Sequence, residues 1–208
     1  MESPVTLVLV AANAIAYFIV NPNKNIDYFD RFAEWPYQII HNNRYYQLVS
    51  SAFLHANLMH LLFNMFALFT FGSTLERFFN MNFDGYMGSI YFALIYAISL
   101  FAGSILTVVF HFNNPNYVAV GASGAVSGIV FSYIIFFPTS TLYVFFVPMP
   151  AFVFAILWIA FSIYGMKSSR LGKIGHEAHL GGAVGGVIAT LLLIDGATRV
   201  LLSHFNAL

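Results

Sequence analysis

Gly88-Ser-Ile-Tyr-Phe-Ala-Leu-Ile-Tyr-Ala-Ile-Ser-Leu-Phe-Ala-Gly-Ser-Ile-Leu-Thr-Val-Val-Phe110 runs its whole length without an Asp, Glu, Lys or Arg. At about 1.5 Å per residue, a helix of this length spans the roughly 30 Å hydrocarbon core of a bilayer. Outward from it lie five further apolar stretches: Val5 to Val20, His55 to Phe78, Ala119 to Phe137, Pro150 to Met166 and His176 to Ile194. The first and fifth are short. The breaks carry the expected polar and helix-breaking residues: Asn21-Pro22-Asn23, Asn80 to Asp84, Asn113-Asn114-Pro115-Asn116, Pro138, and Lys167 to Lys173. Unpaired backbone groups are costly in lipid, so helices rather than an open sheet follow. The reading is an all-α membrane protein, a bundle of six transmembrane helices forming a single domain over residues 1–208 with its core at 45–195.

Composition agrees. The chain is 60% hydrophobic and only 8% charged, whereas soluble domains carry roughly 25% charged residues. Lys and Arg balance Asp and Glu to a net charge of zero, and without a basic run nothing favours nucleic acid. Cysteine is absent, which excludes disulfides and thiolate nucleophiles. No Lys or Arg precedes the first apolar run, so Val5 to Val20 reads as a retained span rather than a secretory signal. The connection from Asn21 to about Leu54 mixes Tyr28, Phe29, Phe32, Trp35, Tyr37, Tyr45 and Tyr46 with Asp27, Asp30, Arg31, Glu34 and Arg44, a composition suited to the water–lipid interface. Residues Thr139 to Pro148 either extend the fifth span backward, kinked by Pro148 and Pro150, or form an interfacial loop.

Strongly polar residues inside spans are functional candidates, and three clusters qualify. They are His55, His60 and Asn64 in the second span; Gly121-Ala122-Ser123-Gly124 in the fourth; and His176-Glu177-Ala178-His179, followed by Leu180-Gly181-Gly182, in the sixth. All open even-numbered spans, which start from the same side of an alternating bundle. His60 and Asn64 are four apart and share a helical face. Glu177 points nearly opposite to His179, and Asp195 lies about 24 Å further along at about 1.5 Å per residue, so neither completes a triad. A Ser–His dyad remains, with backbone N–H groups at a helix start, and the His60 and Asn64 side chains, as possible oxyanion donors. Packing is the alternative for each element. Gly-x-Ser-Gly and the stripe of Gly182 and Gly186 also suit close helix contact, and Asn64 also suits interhelical hydrogen bonding.

On these residues the sequence resembles the rhomboid family of intramembrane serine proteases. His55-Ala-Asn-Leu-Met-His60-Leu-Leu-Phe-Asn64 matches H-x-x-x-x-H-x-x-x-N, Gly121-Ala-Ser123-Gly124 matches G-x-S-G, and Ala178-His179-Leu-Gly-Gly182-Ala-Val-Gly-Gly186 matches A-H-x-x-G-x-x-x-G. The resemblance implies that Ser123 is the nucleophile and His179 its base. It implies that His60, Asn64 and the Ser123 N–H bind the oxyanion, and that Gly182 and Gly186 let the fourth and sixth helices approach. Transmembrane protein substrates in a lipid bilayer and no metal or cofactor follow from it. So does a site on the non-cytoplasmic face of the cell membrane. Lys/Arg counting opposes that orientation: Lys24, Arg31, Arg44, Lys167, Arg170 and Lys173 fall on the site's side and only Arg77 and Arg199 on the other.

The chain departs from the family at Tyr46-Gln47, where Trp-Arg is common, and at Asn80, where Gly is common. It departs again at Ser127, where some members stack a Tyr on the catalytic His, so that His179 either needs another ring, one of the many Phe being a candidate, or is held less firmly. A silent client-binding relative is the competing function, but such relatives lack the Ser or the His. A zinc protease would want H-E-x-x-H rather than His176-Glu-Ala-His179, and a transporter would want an internal repeat.

Overall fold

The computed structural model describes residues 2–20, 26–144, 146–167 and 175–206. Asn21-Pro22-Asn23, Lys24, Phe145, Arg170 and Lys173 lie outside them. Each of the six apolar stretches carries a helix: α1 (Pro4–Ile19), a continuous helix through α5 (Leu58–Ala67), a π-helical turn (Leu68–Gly72) and α6 (Ser73–Asn82), then α7 (Met87–His111), α8 (Ser123–Phe136), α9 (Ala151–Lys167) and α10 (His176–Leu193), with His55 just before α5. Short helices α2 (Ile26–Phe32), α3 (Pro36–His41) and α4 (Gln47–Ser50) fill the long first connection, and α11 (Ala197–Asn206) follows α10. Among the described residues, Leu58–Asn82 and Met87–His111 are each long and apolar enough to cross a membrane. A third such span results if α10 and α11, bent by 115°, count as one; α1, α8 and α9 are shorter apolar helices.

The helix ends explain much of the assembly. An isolated helix leaves its first four N–H groups unpaired, and at α1 a buried carboxylate from α6 takes two of them. Glu76 accepts from the Val5 N–H at 3.0 Å, the Thr6 N–H at 2.8 Å and the Thr6 hydroxyl at 2.7 Å. Ser89 of α7 donates to the same carboxylate at 2.7 Å. Asn80 bonds Ser89 at 3.0 Å, so three helices meet at one acid. Asn57 caps α5 by accepting from the His60 N–H at 2.8 Å.

α8 is buried along nearly its whole length and forms the centre of the bundle. It begins at Ser123, later than the apolar pattern suggests, because Ala119 to Gly121 are non-helical. Ala119 and Glu34 exchange backbone hydrogen bonds of 2.9 Å, and the Gly121 N–H donates to the Ser51 carbonyl at 3.0 Å. Glu34 is itself buried; loss of solvent pushes its carboxyl up to about 8, opposed by a hydrogen bond from Ser104.

Two expectations about connections change. Thr139 to Pro148 is neither a helix extension nor a plain loop: Thr141–Val144 (β1) pairs antiparallel with Val147–Pro150 (β2), Leu142 opposite Met149, and α9 starts directly after it. Alternation decides this, since Leu142 is buried while Thr141 and Tyr143 face outward. The first connection is anchored without a Trp-Arg pair. The fully buried Gln47 donates to the Arg31 carbonyl at 3.0 Å, and the Tyr46 hydroxyl reaches the same carbonyl at 3.2 Å.

Candidate active site

The three polar clusters meet where α5, α8 and α10 begin. Ser123 is the first residue of α8, so its N–H belongs to the unpaired first turn. Its Oγ lies 2.8 Å from Nε2 of His179 on α10. With the ring proton on Nδ1, Nε2 accepts from the serine hydroxyl. The contact depends on glycine. A Cβ on Gly182 would run into the Gly124 carbonyl, and one on Gly186 into the backbone of Gly128, so any other residue would push α10 off α8.

Before Ser123 the chain turns through Gly121, whose φ of 122° lies in the region other residues avoid. A Cβ there would meet the His60 ring at 2.7 Å, which places that ring beside the segment leading to Ser123. The His55 ring lies 5.0 Å behind that of His60, edge to face. Asn64, one turn along α5, is buried and donates to the His60 carbonyl at 2.9 Å. A carboxamide carries two N–H donors, so this bond leaves Asn64 a donor to offer.

The neighbouring residues of α10 diverge. Glu177 turns to α7, its Oε1 3.3 Å from Nε2 of His111, and the His111 ring stacks on Tyr117 at 3.6 Å. Burial and the charges of Glu177 and Glu34 push the Tyr117 phenol up. His176 turns to α9, against Gly165 and Phe161. Glu177 therefore turns to α7, while His176 and His179 both meet α9 and His179 also reaches α8.

The ring that covers His179 is a tryptophan, not one of the phenylalanines. Trp158 of α9 sits 5.2 Å from it, tilted by 30°. The sequence carried a signal for this: Trp158 and Phe161 are three apart on α9, matching His176 and His179 on α10. Ser127, at the position where a tyrosine could have stood, is buried within α8.

The fold and the cluster define a helical, apolar membrane protein with polar groups gathered at shared helix ends. Within that class the Rhomboid domain pattern matches residues 42–196, and the chain belongs to the rhomboid family. It is 32% identical to "RHOMBOID-like protein 12, mitochondrial" of Arabidopsis thaliana over 166 residues, which is 76% of this chain and 49% of that protein. It is 31% identical over 161 residues to YdcA of Bacillus subtilis, whose name marks it as a candidate rhomboid protease, covering 76% of this chain and 72% of that one. To "Rhomboid protease GluP" of the same bacterium it is 27% identical over 191 residues, 90% of this chain and 34% of that one. The chain thus spans about half of the Arabidopsis relative and a third of GluP.

Proposed function

We propose that the chain is an intramembrane serine protease that cleaves peptide bonds in or near transmembrane segments of other membrane proteins. The observation that carries this reading is the 2.8 Å contact between Ser123 Oγ and His179 Nε2, together with protease-named relatives in the same family. Ser123 Oγ attacks the scissile carbonyl carbon while His179 Nε2 takes its proton. The carbonyl oxygen becomes an oxyanion, bound by the Ser123 N–H and by donors on His60 and Asn64. Collapse breaks the C–N bond, with the proton passing from Nε2 to the leaving amine. Water, deprotonated by the same ring, then releases the acyl group from Ser123. The silent reading has no observation in its favour, since both dyad members are present and in contact.

The six apolar helices form the bundle's six spans. At 14 residues, α8 extends only about 21 Å at roughly 1.5 Å per residue, less than the hydrocarbon thickness. Its first residue, Ser123, therefore sits below the membrane surface, reached by the non-helical Ala119 to Gly121. The site faces the non-cytoplasmic side of the cell membrane, with both chain ends cytoplasmic. Substrates are transmembrane helices cleaved near their outer end, at small residues followed by helix-destabilising ones.

The test is cleavage of a reporter transmembrane substrate in proteoliposomes. Wild type cleaves, and Ser123→Ala and His179→Ala do not, with helical content unchanged in both; a Ser123→Ala variant that still cleaves rejects the reading. A C-terminal fusion that is fluorescent as green fluorescent protein and inactive as alkaline phosphatase supports the orientation, and the opposite pair reverses it.

A further inference from the structure

His176 has no part in the reaction described above, yet it is 1% exposed, among the most enclosed polar side chains of the bundle. Neither of its ring nitrogens has a hydrogen-bond partner among the described residues. Burying such a ring unpaired is unfavourable, but the space for it is built. Gly165 of α9 leaves the room, since a Cβ there would run into the imidazole, and Phe161 sets its ring 5.1 Å away, edge on. One turn later, His179 shows the same deficit at one atom. Its Nε2 meets Ser123, while its buried Nδ1 has no partner. The centres of the two imidazoles are 6.3 Å apart and their planes cross at 80°, edge to face.

We propose that His176 is a positioning residue for the base. Nδ1–H of His179 donates to one ordered water, and that water donates to a ring nitrogen of His176. This inference rests on the reading of His179 as the base. The tautomer of a histidine is set by the bond its other nitrogen makes. A bridging water does this nearly as well as a direct contact, and buried waters occur where polar groups otherwise lack partners. In a serine–histidine–aspartate triad a carboxylate holds the Nδ1 proton. Here Glu177 is turned to His111, Asp195 lies beyond the far end of α10, and His60 lies against Gly121. His176 fills that role through the lone pair of a ring nitrogen. The proton stays on Nδ1 throughout, and the relay fixes which nitrogen faces Ser123.

The test uses the full chain in proteoliposomes with His176→Phe, which fills the space without an acceptor, and His176→Gln, which restores one. His176→Phe should lower kcat about tenfold, the low end of what loss of a histidine-orienting partner costs at metal sites. KM should be unchanged, and fluorophosphonate labelling of Ser123 should slow by a similar factor. His176→Gln should recover at least about half of the wild-type kcat. A His176→Phe variant with wild-type kcat, or Phe and Gln variants that fall equally, overturns the inference. Either result alongside an active wild type and a dead Ser123→Ala leaves the dyad reading standing. A wild type that neither cleaves nor labels overturns that reading itself.

Discussion

The contact of α10 with α8 and that of α10 with α9 are built on opposite principles. Against α8, and on its other side against α7, the backbones themselves touch. A Cβ on Gly182 would strike the Gly124 carbonyl, and one on Gly181 would lie 2.6 Å from the Ala102 carbonyl. Against α9 the contact is made by side chains, Trp158 on His179 and Phe161 on His176. Of the α9 residues only Ala151, Ser162 and Gly165 are buried. Backbone contact has no rotamers to relax, so it fixes how far Ser123 lies from His179. Aromatic contact fixes how the His179 ring is turned, and it can be loosened without moving either helix axis.

Substitutions should separate these two roles. The largest effect is expected at Gly182→Val. Overpacking costs typically 1–3 kcal/mol even where side chains can adjust, and here the obstacle is a backbone carbonyl. Activity should fall more than about a hundredfold, the lower bound for losing one oxyanion-site interaction, and thermal stability should fall with it. Retained cleavage by Gly182→Val would break the claim that backbone contact sets the dyad distance.

Next come His60→Ala and Asn64→Ala, each expected to lower kcat about a hundred- to a thousandfold without abolishing it, as loss of one oxyanion donor does. Unchanged kcat in both would return them to packing. Trp158→Ala should have a smaller effect, about tenfold in kcat, the scale of losing a group that orients a histidine, with little change in stability. Trp158→Phe should stay near wild type. Equal stability losses at Trp158 and Gly182 would erase the distinction between the two contacts.

The smallest effect lies outside both regions. The Glu34 carboxyl is raised by burial from 4.5 to about 8, so between those values the folded protein holds a proton that the unfolded chain has lost. Stability should therefore decline as pH rises from about 4.5 to about 8 and level off above. Glu34→Gln should remove this decline, measured by thermal unfolding across pH, while leaving the dyad contact intact.

The sequence made the helices and the polar cluster readable because both rest on local signals. Hydropathy marks Gly88 to Phe110 whatever its neighbours do, and the four-residue spacing of His60 and Asn64 sets their shared face. What escaped depends on partners distant in the chain. Ala119 to Gly121 is apolar enough to extend α8, but backbone bonds to Glu34 and Ser51 hold it out of the helix. The run from Leu142 to Val147 looks the same as a short helix or a buried strand until its register with Met149 and Pro148 is seen. Ser127 left open whether another ring covers His179 or the side chain is held less firmly, and the Trp158 of α9 that meets it comes from a distant helix. Glu34 resembled any other acid of an interfacial loop, and only the fold shows it enclosed.

The most direct test of the central claim is labelling of the purified chain with a fluorophosphonate, the modified residue being located by mass spectrometry. The account predicts a single adduct on Ser123, lost in His179→Ala and retained more slowly in Trp158→Ala. No adduct on wild type, or an adduct on Ser123 that survives His179→Ala at the wild-type rate, would contradict it.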